Sequence, residues 1–115
     1  MEKIVRQTLL YDFYGELLTS HQQRIYEDAV FHDLSLSEIA EARGISRQGV
    51  HDLVRRCDRI LEGYEEKLHL LRKFSKTREQ IEQIRDLADS SRPETEPGER
   101  LKQIETLCAG ILAEL

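Results

Sequence analysis

Arg47, Gln48, His51, Arg55 and Arg59, with Ser46 just ahead of them, carry the one pattern in this chain whose residue types and spacing point to a chemistry. They recur at helical steps, so a single helix presents them along one side. Guanidinium, amide and imidazole groups in that setting suit the phosphates and base edges of a nucleic acid. From Arg43 to Arg59 five arginines stand against Asp52 and Asp58, a local net of +3 in a chain whose formal charge is −5. A basic stripe on an acidic body can dock one nucleic-acid surface, weakly and with strong salt dependence. The competing reading is that these arginines pair with neighbouring carboxylates on a solvated helix face. An autonomous DNA binder ordinarily has a basic domain, which this chain lacks.

The elements that must position these side chains are legible around them. Ser35 and Glu38 form an S-x-x-E capping box that starts a short helix. Ile39 and Ala40 give that helix a small inward face, and Gly44 supplies a residue able to take positive φ at its end. Ile45 plugs the turn, Ser46 caps a second helix beginning at Arg47, and Val50 and Val54 form that helix's apolar side. This is a helix-turn-helix pattern, with the second helix as the recognition helix.

Two further helices precede it. Glu2–Leu18 carries apolar residues at helical spacing, with Tyr11 and Tyr14 as packing residues and Gly15 a locally weak point. Thr19 and Gln22 form a T-x-x-Q box opening a helix whose inner face is Ile25, Tyr26, Ala29 and Val30, with Phe31 covering its end. The expected fold class is all-α: a tri-helical, winged-less helix-turn-helix with a long recognition helix and a C-terminal helical extension. The expected domains are 1–73 and 74–115.

The recognition helix is expected to run without a break from Arg47 to about Phe74. Val50, Val54, Cys57, Leu61, Tyr64, Leu68 and Leu71 step 4-3-4-3-4-3, a heptad seam that needs a partner. That partner is either a second subunit, making a homodimer, or the later helices of the same chain. Phe74, Thr77, Ile81, Ile84 and Ala88 continue the stripe in a helix from about Lys76 to Ala88. A polar linker, Asp89–Gly98, follows, and Leu101, Ile104, Cys108, Ile111 and Leu115 mark a last helix. These stripes serve packing or dimerisation.

Other chemistries are excluded. There is no Gly-rich phosphate loop, nucleophile elbow or metal-ligand cluster, so neither catalysis nor a cofactor is expected. Cys57 and Cys108 have no framework spacing and read as small buried hydrophobes in a reducing compartment. Charged residues interrupt the first twenty positions, and no apolar run approaches the roughly 18 residues that span a bilayer. A cytoplasmic protein without membrane insertion is expected.

Leu18-Thr19-x-x-Gln22 followed by Asp33-x-Ser35-Leu36-x-Glu38-Ile39-Ala40-Glu41 resembles the fourth-region helix-turn-helix of bacterial sigma factors. Gly44-x-Ser46-Arg47-Gln48-x-Val50-x-Asp52, with Leu61-Glu62-x-Tyr64-Glu65-Glu66-Lys67-Leu68-His69-Leu70-Leu71, resembles the YlxM family more specifically. These are small bacterial proteins encoded beside signal recognition particle genes. The resemblance covers about residues 9 to 74. Gly49 stands where the family tends to have Ala, and His51 where it tends to have Tyr. The resemblance implies an all-α, dimeric protein with a regulatory role in the signal recognition particle pathway. DNA, signal recognition particle RNA and the particle's GTPase are the partners it brings into view. A DNA-binding regulator unrelated to targeting and a pure protein-interaction module are the alternatives.

Overall fold

The structure, a computed structural model, describes residues 1–89 and 97–115. Among these residues there are six α-helices and no strand: α1 Lys3–Tyr14, α2 Ser20–Val30, α3 Leu36–Arg43, α4 Arg47–Leu68, α5 Leu70–Leu87 and α6 Pro97–Glu114. They fall into two compact units, Met1–Leu71 and Arg72–Leu115.

In the first unit α1, α2 and α3 all pack on α4. Leu10, Tyr14, Leu18, Tyr26, Cys57, Leu61 and Leu71 form one buried cluster, and Ile25, Ile39, Ala40 and Val50 another. Leu53 and Val54 pack against both and join them into one core. The heptad seam is therefore filled from Val50 to Tyr64 by the three helices that precede it. Neither a second subunit nor the helices after Lys76 are needed to cover it. Leu68, a seam position by spacing, is 49% exposed, and Glu65 is buried in its place.

The expected first helix is shorter than its pattern. α1 stops at Tyr14, and Gly15–Leu17 forms a 3-10 turn. The Tyr11 ring lies so close that a Cβ on Gly15 would sit 2.9 Å from it. Glycine is thus required there by close approach. Gln23 donates to the Gly15 carbonyl at 2.9 Å, fixing the start of α2 against the end of α1. The Thr19 capping box forms, with Gln22 N–H donating to Thr19 Oγ1 and Gln22 Oε1 accepting from Thr19 N–H. Phe31 is 42% exposed and meets Tyr11 edge-on, 5.2 Å between centroids.

The long helix is not continuous. α4 ends at Leu68, His69 takes a left-handed conformation at φ 59°, and α5 restarts at Leu70. No Gly or Pro marks this stop. It is made by tertiary bonds: the Glu65 carboxylate accepts from the Tyr14 hydroxyl at 2.7 Å and from Leu71 N–H at 2.9 Å. The Tyr14 hydroxyl in turn accepts from Leu70 N–H at 3.1 Å. The first amide donors of α5 are satisfied by two side chains of the first unit, as a helix terminus requires. Burial, with the Glu65 bond, raises the Tyr14 phenol above its ordinary value.

Cys57 is buried in the core, and burial pushes its thiol up to about 11. Cys108 is exposed, contrary to its expected burial. α6 begins at Pro97, inside the expected linker; residues 90–96 of that linker lie outside the described residues. In the second unit Lys76 pairs with Glu114, and Gln80 packs over Gly110. None of the described residues from Arg72 to Leu115 is buried, and Ile81, Leu101 and Leu112 are 54%, 62% and 70% exposed.

Tyr14→Phe should lower stability by about 1–2 kcal/mol, and Glu65→Gln by about 1–3 kcal/mol, in denaturant melts. Tyr14→Phe removes the acceptor of Leu70 N–H, and Glu65→Gln replaces a charged acceptor of Leu71 N–H and Tyr14 O–H with a weaker neutral one. An unchanged midpoint in both variants would show that these bonds do not hold the α4–α5 stop.

Candidate nucleic-acid interface

Local chemistry sets where α4 begins and which way it faces. Ser35 Oγ accepts from Glu38 N–H at 3.1 Å, and Glu38 Oε1 accepts from Ser35 N–H at 3.2 Å, closing the box at the start of α3. Gly44 ends α3 in the left-handed region at φ 68°, where a Cβ would be strained. Ile45 N–H then reaches the Ala40 carbonyl at 3.1 Å. Ser46 Oγ accepts from Gly49 N–H at 3.0 Å and starts α4. A Cβ on Gly49 would come within 3.1 Å of that same oxygen, so an alanine there would press on the cap.

Asp28 braces the entry to this motif. It is 6% exposed, and its carboxylate accepts two bonds from the Arg43 guanidinium, at 2.8 and 3.0 Å, and lies 3.2 Å from His32 Nδ1. The Asp28 carbonyl also accepts from Leu34 N–H. Burial pushes the carboxyl up, but the Arg43 and His32 bonds outweigh it and hold it below its ordinary 3.8. A depressed folded-state value means that the carboxylate stabilises fully above the ordinary value and loses its contribution as pH falls through the folded one. Asp28→Asn should therefore cost about 2 kcal/mol near neutral pH. The gap to wild type should close in melts below about pH 4; a gap independent of pH would remove the charge from the account.

Every side chain singled out from sequence lies on this frame. Ser46, Arg47, Gln48, His51, Arg55 and Arg59 are all exposed on one side of α4 or at its start. Ser46 is committed to the cap. Gln48 Nε2 donates to Asp52 Oδ1 at 2.8 Å, and His51 Nδ1 stands 3.7 Å from the same oxygen. Arg47 and Arg55 lie eight residues apart, about two turns along one face.

Their electrostatic setting comes from where the acids of α4 are spent. Asp58 accepts from the Tyr26 hydroxyl at 2.7 Å and from Gln7 Nε2 at 3.0 and 3.2 Å. Glu62 takes the Arg6 guanidinium in a two-bond pair at 2.6 and 2.7 Å, whose hydrogen bond lowers the Glu62 carboxyl and raises Arg6. Glu65 is held by Tyr14 and Leu71. Among the described residues, Arg47, Arg55, Arg56 and Arg59 have no hydrogen-bond acceptor and no ion pair. Asp52 and Asp58 line the clefts beside them but stand outside ion-pair distance.

The fold also adds basic groups that spacing does not reveal. A cleft of about 480 Å³ on one flank of α4 brings His21 and Thr19 to Arg56 and Arg59. Another, of about 540 Å³, brings Lys3 to His51, Arg55 and Arg59. Lys3 and His21 are remote from the motif in sequence; only the packing of α1 and α2 on α4 places them there. Arg56 shows in the charge count but sits off the face marked by Arg47 and Arg55.

The chain matches, over residues 1–101, the family model described as "Putative helix-turn-helix protein, YlxM / p13 like". It is 41% identical to UPF0122 protein YlxM of Bacillus subtilis over 107 residues, 93% of this chain and 97% of that one. It is 51% identical to UPF0122 protein TTE1463 of Caldanaerobacter subterraneus over 79 residues, 69% and 68% of the two chains. With UPF0122 protein GK1195 of Geobacillus kaustophilus it shares 48% over 86 residues, 75% and 78% of the two. An all-α chain carrying a capped, glycine-turned helix pair, matched over most of its length by these relatives, belongs to the YlxM / p13-like family of helix-turn-helix proteins.

Proposed function

We propose that this protein is a non-enzymatic, cytoplasmic nucleic-acid-binding regulator that uses the exposed face of α4. The observation carrying the reading is the unpaired state of Arg47, Arg55, Arg56 and Arg59, while Asp58, Glu62 and Glu65 are bonded to Tyr26, Arg6 and Tyr14. Leaving four guanidinium groups without acceptors on one helix concentrates positive potential where phosphates can meet it. Lys3 and His21 extend that potential to both flanks of the helix. In this reading the protein acts in the signal recognition particle pathway, with the particle's RNA or GTPase as a partner, as its resemblance to the YlxM family implies. Among the described residues, no helix is long and apolar enough to cross a membrane.

The protein acts as a homodimer in this reading, joined through the α5–α6 unit. The seam from Val50 to Tyr64 is no candidate, because its own chain fills it. Ile81, Leu101 and Leu112 are large, apolar and mostly exposed, and a second copy would cover them.

Wild type should sediment as a dimer, and Ile81→Glu with Leu112→Glu as a helical monomer. A wild-type monomer at high concentration would end the homodimer reading. Removal of Arg47 and Arg55 together should flatten the salt dependence of binding by roughly 0.7–0.9 per lost contact on the logarithmic slope. Should wild type bind neither duplex DNA nor folded RNA at about 50 mM salt, where phosphate contacts are strongest, the nucleic-acid reading fails.

A further inference from the structure

Gln48 and Asp52 stand one helical turn apart within the basic face, joined by the 2.8 Å bond from Gln48 Nε2 to Asp52 Oδ1. An ionised carboxylate only accepts, so this bond fixes the amide: its NH2 faces Asp52 and its carbonyl oxygen faces away. One N–H of Gln48 and one oxygen of Asp52 are left for another molecule. The Asp52 side chain is 67% exposed and has no Lys or Arg within ion-pair distance among the described residues. It therefore contributes nothing to the core, and amid Arg56, Arg59 and His21 it opposes phosphate binding. A carboxylate that weakens backbone attraction at the centre of such a face fits a role in discrimination.

We infer that Gln48 and Asp52 form a base-reading pair in the major groove of duplex DNA, selecting bases that present an exocyclic amine. This rests on the nucleic-acid reading given above. The fixed amide matches adenine, its oxygen accepting from N6 and its remaining N–H donating to N7. The free Asp52 oxygen accepts from N4 of a neighbouring cytosine, whereas guanine would set its O6 and N7 acceptors against the carboxylate. Duplex DNA is favoured over double-stranded RNA because the A-form major groove is too narrow for side chains on a helix to reach base edges.

Selection from duplex DNA with a randomised core tests this, using wild type, Gln48→Ala, Asp52→Asn and Asp52→Ala. Both positions are exposed, so unchanged helicity and melting should accompany each variant. Wild type should enrich adenine beside cytosine, with guanine opposite Asp52 costing at least about fivefold in affinity. Asp52→Asn, which can also donate, should accept guanine; Asp52→Ala should bind random duplex more tightly while losing the preference. A preference unchanged in Asp52→Ala, or no preference in wild type, overturns the pair and leaves phosphate binding standing. Binding to RNA alone also overturns the pair. Binding to neither polymer removes the nucleic-acid reading and the pair with it.

Discussion

The bond between the Tyr26 hydroxyl and the Asp58 carboxylate lies where α1, α2 and α4 converge. A buried phenol needs an acceptor, and a half-buried carboxylate needs donors; each satisfies the other at 2.7 Å, with Gln7 completing the set. The same arrangement recurs one and two turns further along α4, where Glu62 takes Arg6 and Glu65 takes Tyr14. α4 is thus held to the core by apolar packing through its centre and by carboxylates along one edge. Those carboxylates line the same clefts as Arg55 and Arg59, yet their hydrogen bonds go to Tyr26, Gln7, Arg6, Tyr14 and Leu71. Anchoring the helix and exposing its charge are one event: the acids that fasten α4 are no longer available to its cations.

The turn before α4 sets the phase of this arrangement. A helix begun one residue earlier or later would rotate by about 100°, and the arginines would then face α1 or α2. Ser46 fixes the first residue by capping, and Gly44 fixes the direction of entry through its positive φ. Asp28 and Arg43 join the ends of α2 and α3, so the entry angle does not rest on the turn alone. Short-range chemistry thus sets the register, and long-range pairs hold it.

What the sequence makes legible follows that division. Both capping boxes, Gly44 and the Ser46 cap are local signals, carried by residues three or four apart, and each forms as its spacing requires. The stop at His69 was not legible, because it depends on Tyr14, remote from Glu65 and Leu70 in sequence. A heptad seam has the same spacing whether a second subunit or an earlier helix fills it, so Val50–Tyr64 gave no sign of its real partner. Even within the seam, spacing favoured Leu68 for burial, while the fold buried Glu65 because it caps α5. The arginines of the candidate interface were readable from type and position. Their lack of partners was not, since it turns on which way Asp58 and Glu62 point, and Lys3 and His21 join them only through packing.

The position of α4 in the chain has a consequence for how the protein is made. α1, α2 and α3 contact one another sparsely and bury their apolar faces chiefly on α4, which is synthesised after all three. A growing chain that has reached Arg43 holds three amphipathic segments and nothing to close them. Only when Leu61 and Leu71 have been added does the chain hold every residue of the first core. At about 5–20 residues per second that interval lasts seconds, long beside the time in which a small helical unit folds. During those seconds the nascent chain exposes the apolar faces that the finished unit hides, and the basic face takes shape only as that unit closes.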